Sequence, residues 1–195
     1  MTTLTPQKTY SLQDYQRLEE NSMERHEYHD GEIIPMTGGT VDHACIISNL
    51  IFLFRLALQG TEFEVFGGDL RIWVPKYNRG LYPDLSIFQG KPLLNNDRRD
   101  EVLNPCLLVE VLSSSTEAYD RGQKFRFYRA IPSLQIYLLF SQNEPLVEYY
   151  HRRENDQWVL SSKQGLDGAF PLPLTNREIK LSEVYKGIPI ITELE

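Results

Sequence analysis

Apolar residues recur along this chain with two periods, and the changes between them mark its elements. Leu12, Tyr15 and Leu18 share one helical face behind Ser11, which stands three residues before Asp14. A serine and an acid at that spacing can close a first turn reciprocally, so a helix is predicted from about Leu12 to Asn21. Arg25 to Ile34 is extended in character and is broken by Asp30-Gly31, a strong hairpin signal that predicts two short antiparallel strands. Thr40 can cap a second, longest helix ending near Gly60 after about five turns. Its Ile46, Ile47, Leu50, Ile51, Phe54 and Leu58 fall on the face that should cover a sheet.

Beyond it, Phe63–Phe66 and Leu70–Val74, joined by Gly67-Gly68-Asp69, read as an antiparallel pair. Asn78–Gly80 reads as a loop before a strand at Asp84–Phe88. The polar stretch Gln89–Asn104, with Asn95-Asn96-Asp97-Arg98-Arg99-Asp100, reads as the most mobile part of the chain. Leu107–Leu112 is apolar almost throughout, the signature of a strand buried on both faces. Ser113–Thr116 can cap a following helix from about Glu117 to Ala130, which Pro132 ends. Ile136–Phe140, Leu146–His151 and Gln157–Ser161 read as strands. A tail from Gly168 to Ile191 carries Phe170, Leu172, Leu174, Leu181 and Val184, enough to pack back on the body. This order predicts one α/β (α+β) domain over residues 1–195, a central mixed β-sheet flanked by helices.

The bulk numbers agree with that picture. A chain of 195 residues suffices for one well-buried domain and is short for two. With 41% hydrophobic and 24% charged residues, neither a disordered nor a membrane class is indicated. The longest apolar run, Ala44–Leu58, contains Ser48, Asn49 and Arg55 and is too short to span a bilayer. Met1–Tyr10 is polar and lacks a signal-peptide pattern, so a cytoplasmic protein with no membrane partner is expected. Cys45 and Cys106 have no second cysteine or histidine at ligand spacing and are expected as reduced thiols. The formal charge of −7 excludes a protein that coats nucleic acid by bulk charge, while leaving room for a local basic groove.

One residue breaks the apolar pattern and directs attention to chemistry. Alternation places Leu108, Glu110 and Leu112 on one strand face and Leu107, Val109 and Val111 on the other, leaving Glu110 no path to water. A buried carboxylate needs a cation or a metal. At about 100° per residue, Asp120, Arg121, Lys124 and Tyr128 fall in one helical sector, bordered by Phe125 and Phe127, with Gln123, Arg126 and Arg129 on the solvated side. Lys124 is thereby aimed at the sheet. Asp84, at the start of what should be an adjacent strand, supplies a second acid. A Mg²⁺-type ion needs only one or two carboxylates besides water and phosphate, and Asp84 with Glu110 meets that requirement. The structural alternative is a buried Glu110–Lys124 ion pair, with Asp84 merely turning the chain.

These residues carry a family resemblance. Glu27 precedes Asp30-Gly31-Glu32, His43 opens the long helix, and Pro83-Asp84 follows. Then come Val109-Glu110-Val111 with Ser113 and Ser115, Asp120 four residues before Lys124, and Tyr128. In this order, from about Tyr15 to Tyr150, the chain resembles the Uma-type family of bacterial endonucleases, within the PD-(D/E)XK superfamily of restriction-endonuclease-like phosphodiesterases. The resemblance implies a restriction-endonuclease-like fold and an endonuclease that hydrolyses DNA phosphodiester bonds with Mg²⁺ or Mn²⁺. RNA is the alternative polymer. It implies Asp84, Glu110 and the Val111 carbonyl as metal ligands. Lys124 would orient or activate the attacking water or stabilise phosphate charge, and Glu27 would be an extra ligand or base. The wider superfamily places its lysine two residues after the second acid, where this chain has Leu112; in the narrower family it stands on the next helix, as Lys124 does here. Asp120 is expected to orient Lys124, His43 to serve as a capping or surface residue rather than a catalytic one, and Tyr82 and Tyr128 to pack. Arg98, Arg99, Arg121, Lys76 and Arg79 are candidates for a phosphate-tracking rim, against the plainer reading of solvated charges. A homodimer would bring two sites to two strands, although no heptad marks an interface. The competing functional readings are a catalytically inactive nucleic-acid-binding or dimeric interaction module on the same fold, and an enzyme acting on another phosphate ester.

Overall fold

Local chemistry sets the first elements in the computed structural model, which describes residues 9–189. The polar stretch read at Met1–Tyr10 lies outside them as far as Lys8, as do the last two residues of the tail read to Ile191. Helix α1 (Leu12–Asn21) starts with the expected reciprocal pair: Ser11 Oγ accepts from the Asp14 amide at 3.1 Å and Asp14 Oδ2 accepts from the Ser11 amide at 3.1 Å. Strands β1 (His26–His29) and β2 (Glu32–Pro35) are joined by Asp30 and Gly31, whose φ angles of +50° and +105° give the left-handed turn that an Asp-Gly pair favours. Helix α2 (Val41–Ala57) starts at Thr40, whose hydroxyl accepts from the His43 amide.

Twelve further strands follow among the described residues: β3 (Phe63–Gly67), β4 (Arg71–Val74), β5 (Arg79–Leu81), β6 (Leu85–Gln89), β7 (Leu94–Asn95), β8 (Arg98–Val102), β9 (Leu107–Leu112), β10 (Ile136–Ser141), β11 (Leu146–Arg152), β12 (Trp158–Gln164), β13 (Ala169–Leu172) and β14 (Arg177–Lys180). The expected central mixed sheet has six strands in the order β12-β11-β10-β9-β6-β3, with β9 and β10 parallel and the other neighbours antiparallel. A second six-stranded sheet, β2-β1-β5-β4-β8-β7, was not foreseen. Helix α3 covers residues 117–128, with a π-helical turn at Asp120–Lys124 between α-helical ends.

Three expectations are corrected. Phe63–Phe66 and Leu70–Val74 do not pair: β3 lies against β6 in the central sheet, and β4 lies between β5 and β8 in the second. The Gly67-Gly68-Asp69 segment carries the chain from one sheet to the other, and a Cβ on Gly68 would approach the Pro83 carbonyl oxygen to 3.3 Å. Asn78–Gly80 is only partly a loop, since Arg79–Leu81 forms β5. The polar stretch Gln89–Asn104 contains β7 and β8, because its charges find fixed partners. Arg98 binds Glu20 and Asp100, and Glu101 accepts from Arg71 and Asn95.

The central sheet separates two cores. Leu107, Val109, Val111, Ile136, Leu138 and Phe140 face α2 and the C-terminal segment, whose Phe170, Leu172, Leu181 and Val184 are buried. Leu108, Leu112, Tyr137 and Leu139 face the other way, against Phe127 and Tyr128 of α3 and Ile72, Val74 and Leu81 of the second sheet. Glu110 belongs to this second face by alternation, so α3 and the second sheet determine its surroundings.

The second sheet is pinned to α1 by Arg71, which is fully buried. Its Nη1 donates to the hydroxyls of Tyr15 and Tyr82 and to Glu19, and its Nη2 donates to Asp100 and Glu101. Removing the cation takes from Glu101, itself fully buried, its nearest charged donor and leaves Asn95, Gln16 and the more distant Arg98. Arg71→Met is therefore expected to lower unfolding free energy by about 3–5 kcal/mol, measured by guanidinium denaturation; a loss below about 1 kcal/mol would contradict this role.

Candidate active site

Strand pairing brings the two acids together. β6 runs antiparallel to β9 with Leu85 opposite Val109, so Asp84 lies beside Glu110 and Val111. Asp84 Oδ2 accepts from the Val111 amide at 2.7 Å, which fixes the carboxylate against the end of β9. Glu110 is 3% exposed. Its Oε1 lies 2.9 Å from Lys124 Nζ and accepts from the Tyr128 hydroxyl at 3.1 Å. Both of these polar contacts fall on Oε1, which leaves Oε2 to bind a cation or water.

Lys124 is the hub of the site. Its ammonium donates to the Tyr82 carbonyl and lies 3.5 Å from Asp120 Oδ1 and 3.8 Å from Glu27 Oε1. Glu27, delivered by β1, accepts from the Tyr82 amide; its Oε2 meets His29 Nε2 at 2.8 Å and accepts from the Tyr119 hydroxyl at 3.4 Å. The π turn, wider than an α turn, lies where Asp120 and Lys124 enter the core. At the cleft wall, His43 Nε2 stands 3.1 Å from the Val111 carbonyl oxygen and 3.4 Å from Asp84 Oδ2. The loop approaches this ring closely, since a Cβ on Gly39 would lie 2.7 Å from His43 Nδ1.

Charge is out of balance here. Asp84, Glu110, Asp120 and Glu27 surround one lysine. Burial disfavours the Lys124 ammonium, but Glu110, Glu27 and the two aspartates outweigh it and hold its pKa well above the ordinary lysine value. Burial, with Asp120 and Asp84 adding repulsion, pushes Glu110 well above the ordinary glutamate value against the pull of Lys124. Asp120 is raised for the same primary reason, burial. Burial also acts on Glu27, yet Lys124 and His29 together bring it below the usual range. The hydrogen bond to Asp84 raises His43 in spite of its burial, favouring imidazolium there.

A hard divalent ion fits this donor set. Among the described residues no group of three His, Cys, Asp or Glu side chains is disposed to hold a metal, so an ion here would rest on Asp84, Glu110, a backbone carbonyl and water. That is the usual provision for Mg²⁺. The excess of carboxylates over cations is the electrostatic reason such an ion would be retained.

Above these groups opens a cleft of about 680 Å³ lined by Glu27, His29, Asp84, Glu110, Lys124 and the 113–116 loop, among others. The sequence-predicted residues Asp84, Glu110, Val111, Lys124, Glu27, Asp120 and His43 all converge on it. The suggested phosphate rim does not. Arg98 is taken by Glu20 and Asp100, Arg121 by Glu117 and Glu148, Arg79 lies over the Phe127 ring and Lys76 over the Tyr77 ring. Arg99, on β8, is exposed and does not line the cleft. Gln123, expected on the solvated face of α3, is exposed and also borders the cleft.

A family model described as "Uma2: Putative restriction endonuclease" matches residues 12–182. The chain belongs to the Uma2 family. Two Synechocystis proteins, both described as uncharacterized, are each 36% identical to it: one over 158 residues (81% of this chain, 89% of the relative) and one over 180 residues (91% and 92%). The fold is that of a crystal structure from Anabaena variabilis described as "a putative nuclease belonging to DUF820", with a TM-score of 0.72 at 17% identity over 90% of this chain and 97% of that one. The Uma2 chain thus has a nuclease-like, restriction-endonuclease-like α+β architecture.

Two residues in contact with Glu27 escaped the sequence reading. His29 lies two positions after Glu27, on the same face of β1 by alternation, and that spacing was a usable signal. Tyr119, stacked on His29 with ring centroids 5.9 Å apart, had no comparable signal, since only the fold brings β1 and α3 together.

Glu110 gives a stability test. The unfolded chain ionises this carboxyl near the ordinary value, while the native state resists, so a penalty sets in as pH rises above about 4 and is complete above the native pKa. Glu110→Gln retains an acceptor for Tyr128 and removes that penalty. In metal-free protein at neutral pH it should raise Tm by about 2–4 °C, and the gain should vanish near pH 4. A variant that melts below the parent at neutral pH would overturn this assignment of charge strain.

Proposed function

We propose that this chain is a Mg²⁺-dependent endonuclease that hydrolyses phosphodiester bonds in DNA, with Mn²⁺ as a substitute ion. The observation that carries the reading is the pair Asp84 and Glu110, held on adjacent strands at the floor of a cleft beside a buried ammonium. Asp84, Glu110 and the Val111 carbonyl would hold the ion, which would supply Lewis acidity toward a phosphate oxygen and a nucleophilic water. The His43 contact to that carbonyl leaves its second lone pair available.

The protein's own groups have separable tasks. The Val111 amide orients Asp84, and Tyr128 with Lys124 orients Glu110. Lys124 keeps its proton, so it is suited to neutralise charge on the phosphate rather than to act as the base. Asp120 and Glu27 hold that ammonium in place, and Glu27, ionised and supported by His29, would be the base that accepts a proton of the attacking water. Hydrolysis adds water oxygen to phosphorus as the ester P–O bond breaks, and the departing oxygen takes up a proton.

Plasmid and oligonucleotide substrates incubated with Mg²⁺, Mn²⁺ or EDTA test this reading. Cleavage should need the ion, fall by about 10²–10³-fold in Lys124→Met, and be lost in Asp84→Asn, with circular dichroism checking that both variants fold. Cleavage that persists in EDTA, or undiminished in both variants, would refute it.

A further inference from the structure

The mouth of the cleft differs chemically from its floor. β9 and β10 are parallel with Leu112 opposite Ser141, so the loops leaving them, starting at Ser113 and Gln142, open on one edge. The carboxyl ends of parallel strands are where open α/β sheets place ligands. Here that edge presents Ser113, Ser115, Thr116, Gln123, Gln142 and Asn143. Ser113 Oγ is within 3.0 Å of Ser115 Oγ and 2.9 Å of Thr116 Oγ1. Gln142 also lines the cleft, with its Oε1 buried and without a hydrogen-bond partner. Lys124 is the one lysine or arginine among the described lining residues, and it lies on the floor among carboxylates.

A wall of neutral amides and hydroxyls can pair with base edges and supplies no charge to neutralise a run of phosphates. Duplex binding depends on phosphate neutralisation by cations, and the nearby arginines Arg98 and Arg121 already have carboxylate partners. The cleft volume of about 680 Å³ suits one or two nucleotides.

We propose that this cleft takes an unpaired nucleotide, with its base among Gln123, Gln142, Asn143 and the 113–116 hydroxyls and its phosphate presented to the floor. Single-stranded segments, rather than intact duplex, are then the substrate. The phosphate's placement rests on the nuclease reading; the base subsite rests on the cleft wall.

Fluorescence anisotropy with the full chain, in Ca²⁺ in place of Mg²⁺, tests the subsite without requiring turnover. A labelled single strand, and a duplex carrying a three-nucleotide bulge, should bind at least about tenfold more tightly than a fully paired duplex of the same sequence. The slope of log K against log salt should be close to −1, that of about one phosphate contact. Gln142→Ala and Asn143→Ala should each weaken single-strand binding about tenfold. Equal affinity for intact duplex, a slope of about −5 or steeper, no binding of any oligonucleotide, or parental affinity in both variants would overturn the proposal. Preferential single-strand binding without cleavage in Mg²⁺ would support the subsite while removing the nuclease reading. Cleavage of duplex as fast as single strand would do the reverse.

Discussion

A single ammonium buried among carboxylates organises this protein. Lys124 reaches Glu110 from the helix after β9, Asp120 from its own helix and Glu27 from the second sheet, and it donates to the backbone between β5 and β6. Three layers of structure therefore meet at one charge. Without Lys124, Glu110 and Glu27 would be buried anions with little beyond tyrosine, histidine and amide donors to compensate them, a situation that proteins avoid at a cost of several kcal/mol, about 3–5 for a broken buried pair. The lysine does not balance the site completely, and the remaining negative charge would favour the divalent ion proposed for it.

The two sheets divide the labour. The central sheet supplies Asp84 and Glu110 through the register of β6 on β9, and its opposite face is an uninterrupted apolar core with α2 and the C-terminal segment. The second sheet supplies Glu27 and His29 and is itself held by Arg71, whose partners come from α1, β8 and Tyr82. Tyr82 links the two networks: its hydroxyl joins the Arg71 cluster while its amide and carbonyl hold Glu27 and Lys124. The expected packing role of Tyr82 thus understates what its backbone does.

What the sequence made legible was whatever depends on near neighbours. The Ser11–Asp14 cap, the Asp30-Gly31 turn, the Thr40 cap and strand Leu107–Leu112 are local, and strand alternation correctly placed Glu110 on the α3 side. Pairing between distant segments was not legible. The glycines at 67 and 68 signal a turn equally well whether the chain folds back on itself or crosses to another sheet. The polar 89–104 stretch reads as loop because its charges meet partners only in the fold, Arg71 above all. Arg98 and Arg121 read as phosphate ligands for the same reason, whereas in the fold Glu20, Asp100, Glu117 and Glu148 occupy them. Helical arithmetic located Lys124 on the buried side and Gln123 on the exposed side, even though the π turn does not keep the α-helical period.

Asp84 and Glu110 are proposed to form one cation site whose charge Lys124 leaves incomplete. Anomalous diffraction from crystals soaked in Mn²⁺ addresses it most directly. One manganese peak is expected, bonded to Asp84 and to Glu110 Oε2, with Lys124 still against Oε1. No peak between these two carboxylates, or a peak seated elsewhere while Glu110 keeps Lys124 as its sole charged partner, would contradict it.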